Sequence, residues 1–405
     1  MIKISIYEEG FTLLEKMQQL LNDHYDEMVE IRRHLHENPE LSFQEVETPK
    51  YIADYQRKLG NEVREGVGER GVVAVLEGGK PGPTVALRAD FDALPIHEET
   101  ELPFASKTDG VMHACGHDGH TAELLVLAKV LTSMKEELAG SVVFIHQHAE
   151  EYAPGGAQAM IADGCLDGVD VIYGTHLWSM IPHGTVEYTE GPIMAAADKF
   201  SINVKGKGGH GAQPHMTKDS ILIGAQIVQT LQHIVSRNVD PMDSAVVSVG
   251  HFESVNAYNV IADKVKIIGT ARSFEEDVRD LLEERIITLA QGVASGYGAE
   301  AEAIYERGYP AVINHEEQAK IVGKVAEQSA GIDHVEVTSP QMGGEDFAYY
   351  LKHVKGAFFF TGAMKPDAKV TYPHHHPKFD IEERAMLNAA NVLGGLVLET
   401  FDQMK

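Results

Sequence analysis

Disulfides, membrane spans and a surplus of positive charge are all missing from this chain of 405 residues. Its two cysteines cannot make a disulfide framework. No stretch is apolar for the roughly 18 residues that a spanning helix needs. Lys and Arg number 34 against 61 Asp and Glu, a net charge of −27. So acidic a chain lacks the basic patch that nucleic acid or an anionic membrane requires, and neither is expected as a partner. The opening residues, Met1 to Gly10, hold neither the apolar core nor the cleavage site of a signal peptide, so the expected location is cytoplasmic. Gly-x-Ser-x-Gly, Cys-x-x-Cys and His-Glu-x-x-His are also absent, which weakens serine-hydrolase, thiol-redox and zincin readings.

Histidine is what the chain does have: 21 of them, and they cluster. The densest stretch is Met112-His113-Ala114-Cys115-Gly116-His117-Asp118-Gly119-His120. Thiolate and imidazole are a shared ligand set for transition metals, and the two glycines let the backbone curl around a small centre. The apolar run that follows, from Thr121, reads as a helix start. The plainer reading is a polar loop whose histidines cap that helix. One histidine would favour it; Cys-Gly-His inside His-x-x-x-His-x-x-His favours the metal.

At this length two domains are expected. Residues 11–38 and 44–59 carry apolar positions at helical spacing, ended by Pro39 and Gly60. The runs 71–76 and 84–90 flank a Gly/Pro cluster and read as a hairpin or as sheet strands. Strands at 84–90, 141–145 and 169–176 end in Asp90 and Asp92, in His146 to Glu151, and in His176. Sites in open α/β sheets gather at such carboxyl ends. Strands alternating with helices predict an α/β fold with a mainly parallel, helix-flanked sheet. From Asp198 to Glu306 the pattern becomes β-α-β-β-α-β, the ferredoxin-like plan, after which the first pattern resumes. The expected organisation is residues 1–197 and 307–405 as one domain, with 198–306 inserted as a second.

Glu150-Glu151 follows an apolar strand and precedes Gly155-Gly156. An exposed Glu pair is usually a solvated turn. At a strand tip beside other ligand-type residues, one carboxylate can hold a metal and the other can manage the proton of an attacking water. At least one of His374, His375 and His376 suits a ligand, but spacing does not say which. His176 is equally suited to a core or a ligand role. The glycine-rich loop around His210 matches no phosphate-binding pattern. Arg272, at a strand end, could clamp a carboxylate or sit in a surface ion pair, and Asn259 lies in a turn.

Taken together, residues 88–95 (Arg-Ala-Asp-Phe-Asp-Ala-Leu-Pro), 113–120 and 149–151, with 174–177 (Gly-Thr-His-Leu), 206–210 and 342–348, resemble the dinuclear-metal aminoacylase/carboxypeptidase superfamily. The branch is that of N-acyl-amino-acid amidohydrolases, hippurate hydrolases and indole-acetyl-amino-acid hydrolases. The resemblance implies a catalytic domain with two divalent metal ions (manganese or zinc, with cobalt or nickel admissible) and an inserted dimerisation or lid domain. It implies Cys115, His117, Glu151, His176 and His375 as ligands, His375 because His375-His376-Pro377-Lys378-Phe379 fits the family's His-x-Pro-x-Phe. It implies Glu150 as general base, Asp90 behind the ligands, His210 as oxyanion stabiliser, and Asn259 and Arg272 as holders of the substrate's amide and carboxylate. The expected activity is hydrolysis of N-acyl amino acids by a homodimer or higher homo-oligomer, with a carboxypeptidase or dipeptidase on the same centre as the rival. A non-catalytic metal-dependent binding protein and a thiol enzyme using Cys115 are further rivals. The intact Glu pair argues against the first, and chelator inhibition would exclude the second. One departure stands out: His148 replaces the proline of the family's Gln-Pro-Ala-Glu-Glu, which suggests an extra polar wall or a weak ligand.

Overall fold

The computed structural model describes residues 12–404, so the stretch from Met1 to Gly10 lies outside them. Two compact units are present. The first takes the described residues of Met1–Ile193, Ile313–Ser339 and Asp346–Lys405; the second is Met194–Val312 with Pro340–Glu345.

The first unit is built on an eight-stranded sheet. Its strands are β1 (Glu62–Val67), β2 (Gly71–Glu77), β3 (Lys80–Asp90), β4 (Ala139–Gln147), β5 (Val171–Pro182), β6 (Thr185–Tyr188), β7 (His334–Val337) and β8 (Lys355–Met364). The spatial order is β1-β2-β4-β3-β5-β8-β6-β7. The central neighbours β4, β3, β5 and β8 run parallel, β2 and β6 join them antiparallel, and β1 is antiparallel to β2. So the sheet is mixed, with a parallel heart. The runs 71–76 and 84–90 are sheet strands, one of the two readings, and do not pair with each other as a hairpin. β4 lies between the two, antiparallel to β2 and parallel to β3. Its core, Val142 to Gln147, is buried throughout, and a strand that apolar needs a partner on each edge.

Helices pack against this sheet. His117–Ser133 and Arg384–Gln403 are buried nearly all round, which is why neither shows a clear polar stripe. Leu124, Leu125, Leu127, Val392, Leu393 and Leu396 are almost inaccessible, and full burial of each such side chain contributes about 1.5–3 kcal/mol. A single short helix, Ala348–Leu351, precedes β8. No helix among the described residues is long and apolar enough to cross a membrane.

The second unit has the ferredoxin-like order read from the sequence. Its strands Ala245–Glu253, Lys264–Ser273, Ala196–Lys205 and Glu300–Tyr309 lie side by side in that order, all antiparallel. Phe200, Ile202 and Val204 alternate inward to meet Ile227, Leu231 and Ile234 of helix Ser220–Arg237 and Leu282 and Ile286 of helix Glu276–Gly296. Asp219 caps the first helix by accepting from the backbone of Ile221 at 2.9 Å, a contact generally worth about 1 kcal/mol. Buried Asp198 is paired with Arg279 at 2.6 Å and accepts from the Tyr305 hydroxyl at 2.7 Å.

Candidate metal centre

Two parallel strands, β3 and β4, end at the site, and a third, β5, runs on past it to Pro182 instead of ending at His176. Asp90, the last residue of β3, lies in register with Gln147 at the end of β4. His176 lies in β5 opposite Phe360 of β8. The loop carrying Cys115 turns at Gly116, whose φ of 92° is the left-handed conformation that suits glycine, and the helix begins at His117. Cys115, His117 and His176 are all buried.

Hydrogen bonds to the backbone sort the histidines, because a carbonyl only accepts and a backbone N–H only donates. His117 Nδ1 lies 2.9 Å from the Asp92 carbonyl, so Nδ1 donates and Nε2 faces the cluster. His176 Nδ1 lies 3.0 Å from the Leu177 carbonyl, which leaves its Nε2 lone pair 3.4 Å from Cys115 Sγ. Both have the tautomer of a metal ligand. His120 does not: its Nε2 accepts from Leu177 N–H at 2.9 Å and its Nδ1 donates to Asp90 at 2.6 Å. His375 is turned toward the cluster by a left-handed backbone (φ 64°), with its N–H on the Ala114 carbonyl at 2.8 Å. Its Nε2 stands 3.2 Å from Glu151 Oε2.

Asp92 sets the Glu pair. Its two carboxylate oxygens accept the backbone N–H groups of Glu150 and Glu151, each at 3.0 Å, and the Ser42 hydroxyl at 2.7 Å. With the backbone so fixed, Glu150 Oε2 reaches to 4.0 Å and Glu151 Oε1 to 3.8 Å from His117 Nε2. Arg88 holds the layer behind. It donates to Asp90 at 2.6 Å, Gln147 at 2.9 Å and Asp346 at 2.9 Å, all buried.

The electrostatics of this cluster call for a cation. Burial raises the Cys115 thiol well above its usual range, and Glu151, Glu150 and Asp90 push it further. Burial pulls His117 down, yet Asp90, Asp92 and Glu151 outweigh it and push the imidazole up to about 10. Asp90 is held well below the usual carboxylate range: burial opposes this, but Arg88, His117 and His120 prevail.

Two buried atoms here have no hydrogen-bond partner, His117 Nε2 and Glu151 Oε1. Leaving such groups unpaired costs about 1–3 kcal/mol each. The potential ligand atoms of Cys115, Glu151 and His375 lie within 4.8 Å of one another, as do those of His117, Glu150 and Glu151. Orphaned donors within metal-spanning distance, of mixed sulfur, nitrogen and oxygen type, fit divalent transition metals.

The remaining expectations fall elsewhere. His113 is buried with both ring nitrogens unpartnered. His148 lines no ligand group; it packs edge-on to Phe43 at 6.0 Å and leans on Gly156, where a Cβ would meet its ring at 3.0 Å. It is in none of the compact groups of potential ligands, and its buried Nδ1 has no hydrogen-bond partner. In the second unit, His210 pairs with Val260 next to Asn259, and its Nδ1 accepts from Ala212 N–H at 3.0 Å. Its proton is therefore on exposed Nε2. Arg272 is half-buried and donates to the carbonyls of Ala271 at 3.1 Å and Met342 at 3.2 Å. Sequence reasoning passed over Arg88, Asp92 and Asp346 as functional. The signal was present for the first two, since a charged residue inside an apolar strand or just after its tip must be paired.

Comparison with known proteins places the chain in a family. Residues 86–399 match the family model described as peptidase family M20/M25/M40. YhaA of Bacillus subtilis (strain 168) is 58% identical over 393 residues, 97% of this chain and 99% of its own length. An N-acyl-L-amino acid amidohydrolase of Geobacillus stearothermophilus is 46% identical over 303 residues, 75% of this chain and 82% of that one. Among solved structures, the Bacillus subtilis YXEP protein, described as a dinuclear metal binding peptidase from the M20 family, superimposes with a TM-score of 0.81 at 37% identity, covering 95% of this chain and 100% of that one. The chain therefore belongs to peptidase family M20/M25/M40 and is a hydrolytic enzyme.

Proposed function

We propose that this enzyme hydrolyses the amide bond of N-acyl amino acids, releasing an amino acid and a carboxylate. The observation that carries the reading is the Glu150-Glu151 turn: two adjacent carboxylates, fixed through their own N–H groups by Asp92, set side by side within 4.0 Å of His117 Nε2. Glu151 serves as ligand, with Cys115, His117, His176 and His375, and Glu150 as base. Cys115 belongs to one group with His176 and His374 and to another with Glu151 and His375, so its sulfur would stand among the ligands on either side. Zinc or manganese is the first expectation, and cobalt or nickel fits the same donors. When bound, two such ions would polarise the scissile carbonyl and acidify a water.

The chain's own groups do the rest. Glu150 takes the proton from the attacking water and delivers it to the leaving nitrogen. Asp90 holds His120 and stands 3.7 Å from His117 Nε2, fixing the wall of the site. His210 offers Nε2–H to the oxyanion that develops on the carbonyl, a role worth about 3–4 kcal/mol in comparable sites. Asn259 and Arg272 take the amide and the carboxylate of the substrate. The second unit is also the surface through which two chains would pair. The named activity of the Geobacillus stearothermophilus relative supports the substrate class.

Glu150→Gln should leave the metal content unchanged and lower turnover by about 10²–10⁴-fold. Near-native turnover in that variant would refute Glu150 as base. A panel of acetyl-, benzoyl- and indole-acetyl-amino acids, run beside unblocked dipeptides, checks the substrate class. Faster cleavage of the dipeptides would shift the reading to a peptidase.

A further inference from the structure

His374 lies next to the proposed ligand His375 and within reach of the same sulfur, with Nδ1 3.6 Å from Cys115 Sγ. Distance alone would make it a sixth ligand, since its Nδ1, Cys115 Sγ and His176 Nε2 form one compact group. Its other nitrogen decides otherwise. The backbone N–H of Ser179 donates to His374 Nε2 at 3.2 Å. A backbone N–H can only donate, so Nε2 is the acceptor and the ring proton is on Nδ1. The atom facing the sulfur is then an N–H.

The ring is not free to exchange these roles. Trp178 lies against it at 4.7 Å, Phe379 at 5.0 Å, and His176 meets it at 5.0 Å and 82°. Ser179 also ties this loop down, its hydroxyl donating to the Tyr372 carbonyl at 3.0 Å. The left-handed backbone at His375 sends the next imidazole to Glu151 instead. Neighbours in sequence thus face different atoms.

We propose that His374 is a positioning residue that donates Nδ1–H to the Cys115 thiolate and is not a metal ligand. This rests on the reading that Cys115 binds metal. An N–H···S bond draws electron density from the sulfur, so a thiolate that binds metal would give up less charge to it and leave it a stronger Lewis acid. Groups of this kind, set behind the ligands, tune metal centres in general.

The test uses cobalt(II)-loaded enzyme as native protein, His374→Phe and His374→Gln, reading cobalt per chain and the thiolate-to-cobalt charge-transfer band. All three should hold the same cobalt. The band should move to longer wavelength in His374→Phe and stay near its native position in His374→Gln, whose amide keeps an N–H. Loss of a cobalt equivalent in His374→Phe would make His374 a ligand and overturn the proposal. So would an unshifted band. A native enzyme that binds cobalt with no such band would sink the Cys115 reading itself, a distinct failure. If His374→Phe does not fold, native enzyme loaded with cadmium-113 and labelled with nitrogen-15 histidine answers the question. Coupling from cadmium to the His374 imidazole proton supports the donor role, and a one-bond coupling to its nitrogen overturns it.

Discussion

His117 meets Asp90, Asp92 and Glu151 in a buried cluster, and the consequence is a proton. Pushed up to about 10, the metal-free imidazole is charged at pH 7, and the Cys115 thiol, raised by burial, keeps its hydrogen. A metal must displace both, so metal uptake should release about two protons per chain near pH 7, and apparent affinity should weaken as pH falls. Calorimetry in buffers of different ionisation enthalpy measures this release; uptake without proton release would contradict it. Trp178, the sole tryptophan, reports the same event, since its ring stands 5.2 Å from His176. Cobalt(II) loading should quench its fluorescence, and an unchanged emission would place the ion elsewhere. Legibility at this scale was uneven. Cys115, His117 and the Glu pair announced themselves by residue type and crowding. His374 did not, because three consecutive histidines carry no spacing that separates a ligand from a donor. That distinction depends on Ser179, which is 195 residues away in the chain.

The turn after β4 is the element on which catalysis is argued to depend. It leaves the sheet through Ala149, a non-glycine residue at φ 52°, a conformation that costs about 1–3 kcal/mol unless its surroundings hold it. Glu45 holds it: its Oε1 accepts Ala149 N–H at 2.9 Å. Burial, with Asp92 nearby, pushes that carboxyl up to about 8. Glu45→Ala should therefore misaim both Glu150 and Glu151 and lower activity by at least about tenfold. Adding Ala149→Gly, which adopts the left-handed backbone freely, should recover part of the loss. Comparing kcat and metal content across the two variants checks this; an unaffected Glu45→Ala enzyme would contradict it. The strands were readable as elements because apolar runs with charged tips have few alternatives. Their neighbours were not. That β4 separates β2 from β3 is a matter of long-range pairing, which a local pattern cannot specify. The four strands and two helices of the ferredoxin-like unit were readable, since its strands alternate; that Pro340–Glu345 joins this unit was not, because it lies far from the inserted run in the chain.

Across the whole first unit, a buried charge network joins distant segments. Arg32, on helix Tyr25–Glu37, meets Asp118 at 3.1 Å, Asp380 at 3.0 Å and Glu383 at 3.1 Å. His36, from the same helix, meets Asp118 at 2.8 Å and Glu98 at 3.2 Å. Burial works against its charge, but Asp118 and Glu98 prevail and push His36 up to about 9. Asp118 is depressed: burial raises it, and Arg32 and His36 outweigh that. The His36 contribution is complete below its unfolded value of 6.5 and is lost as pH rises through about 9. The Asp118 contribution is present above its unfolded value of 3.8 and is lost in acid. Metal-loaded enzyme should thus lose stability between about pH 6.5 and 9.5, on the order of a few kcal/mol, and His36→Gln should flatten that slope. Parallel slopes for the two proteins, read as Tm against pH, would remove His36 from the account.

The proposed hydrolytic centre holds two metal ions, with Cys115 among their ligands. Its most direct measurement is the number of manganese or zinc ions that stay with each chain after loading and gel filtration, in native enzyme and in Cys115→Ala. Two are expected in the native enzyme and one or none in the variant, with activity lost in parallel. Two ions retained by Cys115→Ala, or none held by an active native enzyme, would contradict it.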